Sequence, residues 1–188
     1  TGETVNLTIK PAPVNHWIQF KRTDVEGSPL IKADADLVVT TERGTTLEKK
    51  GVRIHTTEHL LAALVGLGID NALVEVDGPE MPIMDGSSRP FIDAIDKVGL
   101  DEQDEERDYY ELKENLAYED LDKEIEMLAI PYEEFRATVM VDYRSPALGT
   151  QHAHMYKMSD FKEDISSCRT FVFLKELEAL ADRGLIKG

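Results

Sequence analysis

The nine residues LDEQDEERD, Leu100 to Asp108, set one leucine among acids, an amide and an arginine. A segment with so little apolar surface cannot run through a core, so the chain is expected to divide there. The expected parts are a first domain over 1–100, an acidic linker over 101–108 and a second domain over 109–188. With 188 residues, 41% of them hydrophobic, the chain has enough apolar surface for a sizeable core on this plan.

Ahead of the acidic stretch, TVNLTIKPAP alternates as a strand does and its prolines end it. Trp17 to Asp24 and Asp36 to Glu42 read as two more strands, with EGSP as a turn, so the opening is expected to be a meander. A helix follows, with Thr56 or Thr57 as N-cap, a broad apolar face of Leu60, Leu61, Leu64, Val65 and Leu67, and Gly66 and Gly68 to stop it. NALVEVDGP is a strand; then come a loop with an Asp85-Gly86 turn, Ser87 or Ser88 as a second cap, and a helix ended by Gly99.

The pattern restarts after the linker, with strands around YYELKENLAY, EIEMLAIPY and RATVMVDY and a loop RSPALGTQHAH. Next are SDFKEDISSC, capped by Ser159 or Asp160, then RTFVFL, and a helix KELEALADRG closing at Gly184. Strands running into helices in both halves predict an α+β fold of two similar units. No sequence repeat supports the likeness.

Charge narrows the partners. Against 21 basic residues there are 37 acidic ones, a formal net charge of -16, so the long-range field repels nucleic acid and anionic membrane. An anionic ligand would need a local basic patch. The single cysteine, Cys168, excludes an intrachain disulfide framework and suits a cytoplasmic protein. No apolar run of about 18 residues is present and no signal-peptide pattern opens the chain. The first residue is Thr1 rather than methionine, as in a chain processed, trimmed or cut from something longer.

Two titratable side chains, Glu58 and His59, open the otherwise apolar helix. By spacing alone they are first-turn residues, where a carboxylate complements the helix dipole and a histidine can bond outward. Their chemistry permits more. A neutral imidazole is a good zinc ligand, and the neighbouring carboxylate, about 100° around the helix, could address a water on the same metal.

The segment TTEHLLAALVGLGIDNALVEVDGPEMPIMDGSSRPFIDAI resembles the signature region of the zinc-dependent UDP-3-O-acyl-N-acetylglucosamine deacetylases of lipid A synthesis. The resemblance extends to TGETVNLTIKPAP, VDYRSPA and SSCRTFVFLKELEALADRGLIKG, in order along the whole chain. It implies two α+β domains, each a small mainly antiparallel sheet with packed helices, and an active site between them. It also implies Zn2+ as cofactor, with His59 as a metal ligand and Glu58 as the general base toward the attacking water. Thr170 matches a threonine that stabilises the oxyanion. Phe171 matches an aromatic lining the acyl passage, Tyr143 one that stacks on uracil, and Asp142 a neighbour of the same base. Lys123 falls near a lysine that reaches the diphosphate.

Family members continue past GLIKG to a helix with His-Lys-x-x-Asp, which carries the other two zinc ligands, and to a histidine that protonates the leaving amine. They also begin with Gly-Leu-His-Thr-Gly. The resemblance therefore implies a fragment with an incomplete second domain, inactive by itself, and a parent sometimes fused to a 3-hydroxyacyl-acyl-carrier-protein dehydratase. The alternative is a non-catalytic acidic binding module that keeps the fold without metal; Glu58, His59 and Thr170 together argue against it. Other residues take plainer readings. Asp85 orders a turn, His152 and His154 are polar loop residues, and His55 is left out of the site. Cys168 is a packed thiol with no histidine partner indicated.

Overall fold

The computed structural model describes residues 3–174 and 177. The chain forms two compact units, one made of the segment through Gln103 together with the segment from Lys162 on, the other of Asp104–Phe161. The cut between Gln103 and Asp104 falls inside the acidic stretch 101–108, while a second cut, between Phe161 and Lys162, has no counterpart in the expected plan. The acidic stretch is exposed as expected, but the chain after Lys162 returns to the first unit. There the Ser88 N–H bonds the Ser166 carbonyl at 3.1 Å, the Thr170 N–H bonds the Gly86 carbonyl at 3.0 Å, and Lys162 Nζ lies 2.7 Å from Asp96. Main-chain bonds of this kind have no signature in composition.

In the first unit the strands are β1 (Leu7–Pro11), β2 (Ile18–Arg22), β3 (Leu30–Lys32), β4 (Val38–Thr40), β5 (Thr46–Lys49), β6 (Val52–Ile54) and β7 (Ala72–Val76). The helices are α1 (Glu58–Gly66) and α2 (Arg89–Asp96). The opening is not a meander: the main sheet runs β1-β7-β2-β3, with β7 antiparallel to β1 and parallel to β2. β7 takes the centre because Ala72, Val74 and Val76 all face the core. Its other face carries Glu75, whose carboxylate meets Lys10 of β1 at 2.6 Å and Lys21 of β2 at 3.1 Å. One acid thus joins both neighbouring strands. β4, β5 and β6 form a separate antiparallel sheet, and the hairpin β5-β6 was not expected from sequence.

Helix α1 buries Leu60, Ala63 and Leu64, a narrower stripe than expected, and leaves Val65 half exposed beside Trp17 and Ile69 in an open groove. Gly68 stops it at φ 71°, a left-handed turn that costs glycine nothing. Its N–H bonds Val65 while Ile69 bonds Leu64. Helix α2 packs Phe91, Ile92 and Ile95 against this core, and Gly99 at φ 82° ends it as expected.

The second unit holds two hairpins, β8 (Leu116–Asp120) with β9 (Ile125–Ala129) and β10 (Ala137–Asp142) with β11 (Thr150–Met155). β11 replaces the expected loop: Thr150, His152 and His154 pair opposite Asp142, Met140 and Thr138, so the two histidines lie on a strand. No described residue from 104 to 161 is buried. Short 3-10 and π turns at Met158–Asp160 and Phe161–Ile165 follow; their N-cap is Lys157 rather than Ser159 or Asp160, because the Asp160 carboxylate reaches back to accept the Lys157 N–H. The helix expected over 175–184 lies outside the described residues apart from Leu177. No described helix is long and apolar enough to cross a membrane. The fold class is α+β with small, mostly antiparallel sheets, as expected.

Candidate active site

Glu58 and His59 stand at the start of α1 because the chain turns sharply just before it. Thr56 sits at φ 59°, a strained left-handed conformation for a β-branched residue, and its hydroxyl donates to Glu80 Oε1 at 3.0 Å. Thr57, fully buried, is the N-cap, but its hydroxyl donates outward to the Thr45 carbonyl rather than to the helix. The reverse bond fixes the carboxylate: the Thr45 N–H donates to Glu58 Oε2 at 2.8 Å. Glu58 Oε1 lies 3.9 Å from His59 Nε2. Acid and imidazole are therefore oriented toward one another, with the acid held by the loop between β4 and β5.

His55 belongs to a bridge with Glu80 and not to the helix, and its Nδ1 is 2.9 Å from the Thr46 hydroxyl. Asp85 orders a turn, taking the Ser87 N–H at 3.0 Å and the Ser87 hydroxyl at 2.7 Å on Oδ1. The Ser87 hydrogen bond holds the Asp85 carboxyl below its ordinary value. Ser88 caps α2, yet its hydroxyl donates to the His59 carbonyl at 2.9 Å. This contact ties the start of one helix to the other. Sequence reading missed both Thr45 and the second role of Ser88, since either bond joins residues far apart in the chain.

Thr170 and Phe171 follow on the segment that returns to the first unit. Thr170 is exposed, held through its N–H by Gly86. Phe171 is 58% exposed and meets Phe173 edge-on at 5.7 Å. Cys168 is exposed rather than packed, because the turn that its N–H closes on Ile165 carries it outward. Lys123, Asp142 and Tyr143 belong to the second unit. Lys123 stands in the β8-β9 turn with its ammonium 3.2 Å from Asp120. Asp142 ends β10 and accepts the Arg144 N–H at 2.9 Å, while the Tyr143 N–H bonds the Gly149 carbonyl at 3.1 Å. His152 and His154 stack at 6.3 Å between ring centroids. Among the described residues no three of His, Cys, Asp and Glu converge as a metal site.

A carboxylate beside an imidazole at a helix start, with a hydroxyl tied to the same unit, is a set of groups suited to hydrolysis. The chain belongs to the LpxC family, UDP-3-O-acyl N-acetylglycosamine deacetylase, whose model matches residues 1–188. It is 48% identical over its whole length to a protein of Chlorobaculum tepidum named bifunctional enzyme LpxC/FabZ, and covers 40% of that protein. A Bacteroides thetaiotaomicron protein of the same name is 43% identical, with 41% covered. The UDP-3-O-acyl-N-acetylglucosamine deacetylase of Shewanella violacea is 44% identical, with 62% of its length covered. The chain thus spans 40%, 41% and 62% of these relatives, less than two thirds of each.

Proposed function

We propose that the full-length protein is a zinc-dependent hydrolase of the Gram-negative cytoplasm. Its reaction removes the N-acetyl group from UDP-3-O-(3-hydroxyacyl)-N-acetylglucosamine in lipid A biosynthesis. The observation that supports this best is the Glu58 carboxylate, pinned on one oxygen by Thr45 and close to His59 through the other, in a chain of this family. A fixed carboxylate loses no freedom on reaching its reacting geometry.

The described residues do not by themselves fit a zinc ion. They offer one imidazole, His59, with Glu58 beside it, whereas a catalytic site takes about three protein ligands and no three of His, Cys, Asp and Glu converge among the described residues. We therefore assign His59 as one ligand, leave the others to parts of the full-length protein outside the described residues, and route no step through the metal. Glu58 accepts a proton from the attacking water. The Thr170 hydroxyl donates to the oxyanion as it forms. Phe171, exposed as a lining residue must be, contacts the acyl chain. Tyr143 and Asp142 take the uracil, and Lys123 the diphosphate, for which it must exchange its partner Asp120. The 188-residue chain alone is inactive. Two relatives named bifunctional LpxC/FabZ support a parent fused to a 3-hydroxyacyl-acyl-carrier-protein dehydratase.

The test is a pair of variants in the full-length protein. Glu58→Ala should lower kcat by roughly 10² or more with zinc content near normal, while His59→Ala should lose both. Equal zinc loss in the two variants, by elemental analysis, would overturn these roles.

A further inference from the structure

The tetrapeptide Asp85–Ser88 touches both chemically active segments of the first unit. We propose that it is a positioning device, with Ser88 and Asp85 setting Thr170 against the Glu58–His59 turn for the reaction. This rests on the function proposed above.

The contacts run in series. At one end the Ser88 hydroxyl donates to the His59 carbonyl at 2.9 Å. At the other the Gly86 carbonyl accepts the Thr170 N–H at 3.0 Å. Between them the loop has little freedom: Ser87 is fully buried, bound twice to Asp85 Oδ1, and its own Oγ accepts the Arg89 N–H at 3.2 Å. The Gly86 N–H bonds Ile83, and the Ser88 N–H bonds Ser166, so the returning segment is held at two points, Ser166 and Thr170. Gly86 stands at φ 84°, and a Cβ there would lie 3.4 Å from Thr170 Cγ2. The Thr170 side chain therefore packs against Gly86, and the left-handed φ there, more than the space, calls for glycine.

A simple structural seam could contain the same bonds, but it would not need to end on these two residues. Thr170 is exposed and buries little apolar surface, so its tie to Gly86 is poorly explained by core stability. An oxyanion donor, by contrast, must be held to about 0.5 Å.

In the full-length enzyme, Ser88→Ala should lower kcat about tenfold while KM stays within about twofold and zinc content is unchanged. Amide hydrogen exchange should rise about tenfold at Thr170 and not at Phe20 or Val74 in the main sheet. Asp85→Asn, at an exposed position and keeping an acceptor for the buried Ser87 hydroxyl, should show the same selective pattern more weakly. Unchanged kcat in an active enzyme, or exchange rising equally at Thr170, Phe20 and Val74, overturns the positioning role alone. A wild-type enzyme without deacetylase activity overturns both this inference and the function on which it rests.

Discussion

The Thr45 main-chain N–H donates to Glu58 Oε2 at 2.8 Å, so a loop between two strands, and not the helix itself, orients the acid that opens α1. An amide and a carboxylate thirteen positions apart in the chain are each the other's partner.

Glu58→Gln keeps an acceptor for that amide, whereas Glu58→Ala leaves it without one. Urea unfolding should show the glutamine variant near wild type and the alanine variant less stable by about 1 kcal/mol. Both should lose the base in the activity assay. Equal stability of the two variants would mean that the Thr45 bond contributes nothing.

Phe171, 58% exposed, is assigned to the acyl chain. Each methylene removed from the substrate should cost about 0.8 kcal/mol in an apolar passage, so kcat/KM should fall with shortening. Phe171→Ala should flatten that slope; an unchanged slope places the acyl chain elsewhere.

Acid should weaken the first unit through identifiable carboxylates. The Arg22 hydrogen bond lowers the Asp24 pKa, the Lys10 and Lys21 hydrogen bonds lower that of Glu75, and Asn6 lowers that of Asp77. Folded values below the unfolded ones mean stability that is fully present above the ordinary carboxylate range near about 4. It is lost as pH falls through the depressed values. Circular dichroism during acid titration should show this loss, and Asp24→Asn should shrink it. A midpoint unmoved in that variant would exclude the pair.

In the second unit no described residue from 104 to 161 is buried, and Met140 and Val139 are 74% and 56% exposed. The 188-residue chain should self-associate through such surface. Met140→Glu should raise the monomer fraction in sedimentation; an unchanged distribution would place the contact outside β10.

Much of this was legible in the residues. The α1 and α2 boundaries follow from Thr57, Ser88 and the left-handed glycines Gly68 and Gly99, all local signals. β7 was found as a strand from ALVEV, but not as the centre of its sheet, because strand order depends on partners such as Lys10 and Lys21 that lie far off in sequence. β11 was missed since Gln151, His152 and His154 are weak strand formers whose pairing to β10 decides the matter. At the site, Glu58 and His59 were readable as neighbours, while Thr45 and the Ser88 hydroxyl act across long loops. Nothing local marks them.

The placement of β7 between β1 and β2 also governs how the protein comes off the ribosome. β1 pairs with β7 and β2 bonds both β7 and β3, so the first strand made has no ladder until residues 72–76 emerge from the exit tunnel. At about 5–20 residues per second that wait lasts seconds, during which LTIKP and one edge of the β2-β3 hairpin are bare. Pro11, which lacks an N–H, closes the waiting strand, and Lys10 and Lys21, as yet without Glu75, give both strands like charge. Two nascent copies on one message would repel one another at the edges later joined within each chain by a single glutamate.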